Sequence, residues 1–305
     1  MSSTGWRTLI VKDQEKLYYE NGNIVICGEH ENRFPLDQTK RIMIVQPRGS
    51  ITLPLLNKLA QNHIDVLICN EKFLPAISIS SVSSGFSGRV MDQMEWSNQN
   101  KRDVWAEIVR NKIRMQIAVL VKFQIDVPKQ MHEYVKNVYT DDSTNREAMA
   151  SKMYFDLLFG KQFIRHADDE TNAALNYGYS ILCSATARAI SLHGYHNAIG
   201  IHHCSRNNPV NLACDIMEPF RPFVDVIVYS NQNRKLDWEY KKELIAVTEG
   251  ICQYKEQNML VENAIEYYVL DITKTLTDGK AYMGDINLGR KKRSFAFNSI
   301  SRVYV

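Results

Sequence analysis

Residues 98–120 have the sequence NQNKRDVWAEIVRNKIRMQIAVL, and here the chain changes from strand-forming to helix-forming sequence. Side chains recur every three or four residues along this stretch, among them Trp105, Ile108 and Lys112, with Gln116 continuing the series. This spacing places them along one side of a helix and is typical of a long amphipathic helix packed on a core. The stretch therefore predicts the start of a helical domain.

The 75 residues at the N-terminal end have a different pattern. They contain short runs rich in β-branched and aromatic residues, separated by turn-forming residues such as Asn21-Gly22. Runs of this kind predict strands. One segment, 52–61, has leucines at helical spacing, and Thr52 ahead of Pro54 is typical of a helix start. The predicted strands are 6–11, 16–19, 23–27, 41–45 and 65–69.

Between these parts lies a serine-rich tract, SISSVSSGFSG at 78–88, which has little periodicity and predicts a connector. We therefore predict an α+β protein of two domains: a small β-sheet or sandwich domain (1–75), a linker (76–98) and a mainly α-helical catalytic domain (99–305). Beyond the first long helix, the predicted helices are 145–159, 173–192, 212–226, 236–254 and 257–273. Pro219 and Pro222 make a long uninterrupted helix over 212–226 unfavourable and predict that Glu218 lies at a bend or near a helix start.

Composition narrows the class of protein. The 305 residues are 45% hydrophobic and 23% charged, with a formal net charge of +3, as in an ordinary folded protein. No apolar run approaches the roughly 20 residues that cross a membrane, and the start has no apolar signal segment, so we expect a cytoplasmic protein. Walker, GxSxG, HExxH and GxGxxG motifs are absent from the sequence, which disfavours nucleotidases, serine hydrolases, zinc proteases and Rossmann enzymes.

Three segments of the second domain carry candidate ligands for a metal ion. Glu147 lies on a predicted helix, His202 and His203 are adjacent, and Asp215 and Glu218 are three residues apart, so their carboxylates project from one helical side. Taken singly, each has a plainer explanation as a surface, structural or helix-capping residue. Together, one imidazole and two carboxylates suit a divalent ion such as Mg²⁺ or Mn²⁺.

These segments resemble a known family. The strings NREAMASKMYFDLLFG (145–160), NAALNYGYSIL (172–182) and HHCSRNNPVNLACDIMEPFRPFVD (202–225) are similar to the CRISPR-associated integrase of spacer acquisition, in the form found in type II systems. The resemblance implies a prokaryotic, metal-dependent DNA endonuclease and integrase. It places the catalytic metal ligands at Glu147, His203 and Glu218. His203 is preferred to His202 because of the spacing to Glu218, which is 218 − 203 = 15 residues.

The resemblance also implies supporting residues. Asp215, Asn145 and Asn176 are expected to support the site, and basic side chains are expected to contact DNA. The candidate DNA contacts are Arg146, Lys152, Arg221 and the C-terminal cluster Arg290, Lys291, Lys292 and Arg293.

The implied reaction is the insertion of captured DNA into a CRISPR array, in which a 3′-hydroxyl attacks a phosphodiester at the junction of leader and repeat. The implied partners are double-stranded DNA, a second copy of the chain bound through the β-domain, and a small bridging protein that completes a heterohexamer. Accessory and effector proteins of type II systems are further candidates. Two alternatives stay open: a catalytically silent DNA-binding scaffold of the same fold, and a general nuclease for branched DNA.

Overall fold

The computed structural model describes residues 7–12, 16–28, 30–44, 48–70, 75–79, 81, 87–288 and 302–304. The chain divides into two compact units, one formed by Met1–Gly85 with Asn298–Val305 and the other by Phe86–Phe297. The first is built mainly of strands and the second mainly of helices. The predicted fold class is therefore confirmed.

The first unit contains two sheets and one helix. One sheet has the order β12-β1-β5-β7-β8, parallel except for the antiparallel pair β7–β8, and the other has the order β4-β3-β2-β6. The strands are β1 (Arg7–Val11), β2 (Lys16–Glu20), β3 (Asn23–Cys27), β4 (Glu31–Pro35), β5 (Thr39–Ile44), β6 (Ser50–Ile51), β7 (Asp65–Cys69), β8 (Pro75–Ile79) and β12 (Arg302–Tyr304), and the helix is α1 (Leu53–Gln61).

Both sheets contribute to one hydrophobic core. Leu9 of β1, Leu17 of β2 and Ile24 of β3 are almost fully buried and belong to a single cluster with Leu55 and Leu59 of α1. Alternate residues of a strand face opposite sides, so each sheet buries one face in this shared core. The arrangement is the sandwich that the short alternating runs predicted.

The second unit is formed by nine described helices and a small antiparallel sheet of order β10-β9-β11. Helix α3 contacts α4, α5, α8 and α10 and is central to the unit. It begins after Ser97, whose hydroxyl accepts a hydrogen bond from the backbone N–H of Asn100 (3.0 Å). The elements are α2 (Ser87–Met94), α3 (Asn98–Lys122), α4 (Lys129–Lys136), α5 (Arg146–Phe159), α6 (Glu170–Leu192), α7 (Asn211–Ile216), α8 (Arg221–Ser230), α9 (Trp238–Ile245), β9 (Ile251–Tyr254), β10 (Gln257–Leu260), α10 (Val261–Asp278) and β11 (Ile286–Asn287).

The structure corrects the predicted domain boundaries. The segment 76–98, predicted as a linker, holds most of β8 and all of α2. The sequence does not predict β8 because this strand is short and its segment is rich in serine. β8 lies at the edge of the sheet and pairs with β7. The helical domain also does not extend to residue 305, because β12 pairs with β1 and belongs to the first unit. Pairing between distant parts of a chain leaves no local signal in the sequence.

The predicted helices 236–254 and 257–273 also need correction. The first ends at Ile245 and is followed by a short 3₁₀ turn and then the β9–β10 hairpin. Lys255 and Glu256 join the two strands with φ angles of 46° and 64°, the conformation of a tight two-residue turn. Neither residue is the glycine or asparagine that usually signals such a turn, so the local sequence does not predict a hairpin here.

Helices α6 and α8 approach each other closely at Gly178. A methyl group here would lie 2.4 Å from Val224 Cγ1 and 3.3 Å from Leu244 Cδ2. We therefore expect Gly178→Ala to lower the free energy of unfolding by about 1–3 kcal/mol, since overpacking outweighs the helix preference of alanine. Urea denaturation measures the change. Gly88→Ala is the matched control, because Gly88 is helical with nothing within 4 Å, and equal effects of the two substitutions would contradict the expectation.

Candidate active site

Glu147 lies in the first turn of α5, and a strained loop sets its position. Asp141, Asp142 and Asn145 have φ angles of 63°, 45° and 52°. The Asp142 carboxylate accepts hydrogen bonds from the backbone N–H groups of Arg146 (2.8 Å) and Glu147 (2.9 Å). These bonds satisfy donors that every helix start leaves free. Asn145, the predicted supporting residue, makes no side-chain cap and instead supplies the left-handed turn into α5.

A buried lysine lies between the two predicted glutamate ligands. The Lys112 ammonium donates a hydrogen bond to Glu147 Oε1 and lies 2.6 Å from Glu218 Oε2. Ser151 Oγ also donates to Glu147 Oε1 (3.1 Å), as expected for residues four apart on one helix. Arg221 Nη2 lies 2.8 Å from the other oxygen of Glu218. The structure thus brings Glu147, Glu218 and Arg221 together around Lys112.

The charges of this cluster stabilise one another. Burial alone would lower the pKa of Lys112, but the attraction of Glu218 and Glu147 outweighs it and raises that pKa. The same lysine lowers the pKa of Glu147, against the opposing effect of burial. Lys112 therefore stays protonated and Glu147 ionised, and the side chains of both glutamates are directed at the Lys112 ammonium.

A break between two helices places Glu218. Helix α7 ends at Ile216, and Glu218–Phe220 form one turn of 3₁₀ helix before α8 begins. Pro219 and Pro222 explain the break, because proline donates no backbone hydrogen bond and is tolerated in the first turn of a helix. The predicted helix 212–226 is therefore two helices, with Glu218 at the bend that these prolines predicted.

His203 is held by Asp215. This fully buried carboxylate accepts hydrogen bonds from the backbone N–H groups of Ile201 (2.6 Å), His202 (3.0 Å) and His203 (3.0 Å). Asp215 Oδ1 also lies 2.5 Å from His203 Nδ1, so Nε2 is the ring nitrogen that Asp215 does not contact. This hydrogen bond raises the pKa of His203, although partial burial opposes it. A methyl group on Gly200 would lie 2.2 Å from the His203 carbonyl oxygen, so the turn needs glycine.

The adjacent histidine has different contacts. The His202 ring stacks on Trp105, with centroids 4.2 Å apart and planes 2° from parallel. Its Nδ1 lies 3.6 Å from Asp141 Oδ1. His202 therefore joins the 200–205 loop to α3 and to the strained loop before α5. The choice of His203 over His202 as the ligand stays a prediction.

The remaining predicted residues lie around this centre or away from it. Asn176 accepts a hydrogen bond from Arg165 Nη2 (2.8 Å) and touches no predicted ligand through a described contact. Arg146 lies over the ring of Tyr134, at 5.6 Å. Lys152 is exposed on α5. The cluster Arg290, Lys291, Lys292 and Arg293 lies outside the described residues.

Sequence reasoning missed Asp225 of α8. It is buried and accepts hydrogen bonds from the hydroxyls of Tyr154 (2.9 Å) and Tyr179 (2.5 Å). Burial raises the pKa of Asp225 to about 6, although both tyrosines oppose the rise. The Tyr179 ring in turn lies beneath the Arg221 guanidinium (4.9 Å). Asp225 therefore orients a side chain that positions Arg221.

A cavity of about 190 Å³ opens beside Glu147 and Lys112. Its wall combines carboxylates with cationic and hydrogen-bonding groups, a combination that suits a divalent ion together with a phosphate group. Two polar atoms of this wall, the nitrogen Arg221 Nε and the oxygen Gln116 Oε1, are buried and have no hydrogen-bond partner among the described residues. The other lining residues include Lys112, Glu147, Arg165, His166 and Tyr179.

The donor set fits a divalent ion only after a rearrangement. Among the described residues, no group of three or more His, Cys, Asp and Glu side chains is gathered closely enough to hold a metal. Lys112 occupies the space between the glutamates. Glu218 Oε2 is nevertheless buried without a hydrogen bond from the described residues, even though the ammonium lies close by. Such an oxygen is a good ligand for a metal cation, because attraction to an ion does not depend on a donor angle as a hydrogen bond does.

Comparisons with known proteins agree on one family. A family model described as CRISPR associated protein Cas1 matches residues 8–250. The chain is 32% identical over 285 residues to the CRISPR-associated endonuclease Cas1 of Neisseria meningitidis serogroup C (strain 8013), covering 90% of this chain and 94% of that relative.

Two solved structures share the fold. A chain of a casposase bound to integration product has a TM-score of 0.76 at 18% identity, covering 90% of this chain and 91% of that one. A chain of a Cas6-RT-Cas1–Cas2 complex has a TM-score of 0.68 at 17% identity, covering 92% of this chain and 36% of that one. At such identities the likeness shows the fold alone. In the part of the chain that the structure describes, no helix is long and apolar enough to cross a membrane.

Proposed function

Because the chain belongs to the CRISPR-associated Cas1 family, we propose that it is a metal-dependent DNA integrase and endonuclease that inserts captured DNA fragments into a CRISPR array. The observation that carries this proposal is the pair Glu147 and Glu218, which face one buried cation beside a cavity lined with arginine. Two carboxylates that converge on one cation position supply the oxygen ligands that a divalent ion prefers. A structural ion pair needs no such cavity.

We propose that Glu147, Glu218 and His203 hold Mg²⁺ or Mn²⁺. A bound ion of this kind supplies Lewis-acid stabilisation of charge on phosphoryl and leaving oxygens. The protein's own residues keep the ligands in place. Asp215 fixes the ring and the backbone of His203, and Arg221 holds one oxygen of Glu218. Partners of this type typically orient the ligands of a metal and are costly to remove.

The proposed reaction is a transesterification. The 3′-oxygen at the end of the captured DNA forms a new bond to a phosphorus of the repeat, and the bond from that phosphorus to the 3′-oxygen of the cut strand breaks. The proton of the attacking hydroxyl ends on the leaving 3′-oxygen after exchange with solvent. The number of phosphodiester bonds is unchanged, so no nucleotide cofactor is needed. Arg146, Lys152 and Arg221 are the proposed contacts to DNA phosphates in the described chain.

The proposed assembly follows the family resemblance. The partners are double-stranded DNA, a second copy of the chain bound through the first unit, and a small bridging protein of the Cas2 type. The fold match to a chain of a Cas6-RT-Cas1–Cas2 complex supports the last of these. A heterohexamer in the prokaryotic cytoplasm, with type II accessory and effector proteins as further partners, completes the proposal.

Removal of the metal tests the chemistry. We expect the purified protein to rejoin the strands of a branched DNA that mimics the half-integrated product when Mn²⁺ is present, and to lose this activity in EDTA. Denaturing gels of labelled DNA measure the joined strand, and added Mn²⁺ should restore it. DNA binding in EDTA, measured by fluorescence anisotropy, is the control, because phosphate contacts by lysine and arginine need no metal.

The same assay separates the proposal from its alternatives. A silent scaffold binds the branched DNA but joins no strands under any metal condition, and that outcome would sink the integrase mechanism. A general branched-DNA nuclease cuts without preference for sequence. We expect insertion to favour a target containing leader and repeat over a random duplex of equal length, and equal use of both targets would favour the nuclease.

A further inference from the structure

We propose that Lys112 is a displaceable counter-ion that holds Glu147 and Glu218 together without metal and yields its position to the divalent cation. This inference rests on the proposed function, because it concerns how the same site is filled. Lys112 is not among the residues that the sequence predicted for this site.

The burial of Lys112 is the first step of the argument. Only 9% of its side chain is exposed, and its ammonium contacts Glu147 and Glu218, which lie on different elements. Removing an ammonium from water costs several kcal/mol unless nearby charges compensate. The two carboxylates provide that compensation. Lys112 in return offsets the repulsion between these two carboxylates, as a metal ion bound between them would.

The charge balance of the cluster gives the second step. Lys112 and Arg221 contribute two positive charges, and Glu147 and Glu218 contribute two negative charges, so the cluster is neutral. A divalent ion added to this set would leave two uncompensated charges in a poorly hydrated site. Withdrawal of one protein cation would halve this excess, and the incoming ion and an ammonium between the same two carboxylates would repel each other.

Geometry identifies Lys112 as the cation that moves. Arg221 is held by Glu218 on one side and by the Tyr179 ring on another. Lys112 is a flexible four-carbon chain ending in a point charge. Its ammonium leaves Glu218 Oε2 without a hydrogen bond from the described residues. Metal binding to the DNA-free protein therefore competes with the ion pairs of Lys112. We expect its affinity to be lower than the affinity of the same carboxylates without the lysine.

Calorimetric titration of the DNA-free, full-length protein with Mn²⁺ tests this competition. We expect Lys112→Met to bind Mn²⁺ at least about tenfold more tightly than the wild type, because the competing cation is gone. Lys122→Met is the matched control, since Lys122 lies on the same helix, is exposed and loses the same charge. Its affinity for Mn²⁺ should equal that of the wild type.

A second variant guards against a loss of folding. Lys112→Gln keeps hydrogen-bonding capacity without the charge, and it should also bind Mn²⁺ more tightly. Thermal unfolding gives an independent readout: both variants should unfold at lower temperature than the wild type in EDTA and gain more from Mn²⁺. Folded Lys112 variants that bind Mn²⁺ no more tightly than the wild type would overturn the inference.

The failure of this inference differs from the failure of the metal site. If Glu218→Gln abolishes Mn²⁺ binding but both Lys112 variants bind as the wild type does, only the counter-ion role of Lys112 is lost. If Mn²⁺ binds neither the wild type nor the Lys112 variants, or if binding survives Glu218→Gln, the proposed metal site is itself wrong and the counter-ion role falls with it.

Discussion

Glu147→Gln is expected to slow strand joining by about a thousandfold while leaving the protein folded. The substitution keeps the shape of the side chain but removes one of the two negative charges that face the cation position. Loss of a charged metal ligand removes several kcal/mol of transition-state stabilisation, and each 1.36 kcal/mol is worth about a factor of ten in rate. Single-turnover joining of branched DNA in Mn²⁺ measures the effect.

Two measurements make the Glu147 result specific. Glu133→Gln is the matched control, because Glu133 is exposed on α4 and loses the same charge, so its joining rate should stay near that of the wild type. Urea denaturation should show that Glu147→Gln remains folded. Joining at the wild-type rate by folded Glu147→Gln would remove Glu147 from the proposed metal site.

Local sequence patterns predicted much of the fold. The spacing that began at Trp105 predicted α3 to within a few residues, and Pro219 with Pro222 predicted the bend at which Glu218 lies. Both predictions rest on forces between residues close in the chain. The pairing of β12 with β1 and the strand nature of β8 depend on distant partners, and no local pattern contains that information.

The candidate site was predictable only in part, and by family resemblance rather than by local patterns. Glu147, His203 and Glu218 lie in long motifs and were found by resemblance. Lys112 was visible only as a charged residue within the apolar spacing of α3, a position that the helical pattern absorbed as one more member of the stripe. A lysine on a buried helix face needs a partner of opposite charge. That rule points to a buried carboxylate but does not say which one.

Removing the Asp215 carboxylate is expected to have the second largest effect. In Asp215→Ala, three backbone N–H groups and His203 Nδ1 all lose one buried acceptor. Hydrogen bonds to a charged acceptor contribute about 1.5–3 kcal/mol each, and buried donors left unpaired add to the loss. We expect the free energy of unfolding to fall by about 3 kcal/mol or more, as measured in urea, and strand joining to fall by about 10–100-fold.

Asp215→Asn distinguishes a positioning role for Asp215 from a need for charge alone. Each carboxylate oxygen of Asp215 accepts at least two hydrogen bonds, so an amide must turn its NH₂ group towards donors on one side. We therefore expect Asp215→Asn to lose nearly as much stability and activity as Asp215→Ala. Asp126→Asn, an exposed position, should change neither. Folded Asp215→Asn with wild-type joining and wild-type Mn²⁺ affinity would show that His203 needs no such support, and the geometry of the 200–205 loop would then have no bearing on catalysis.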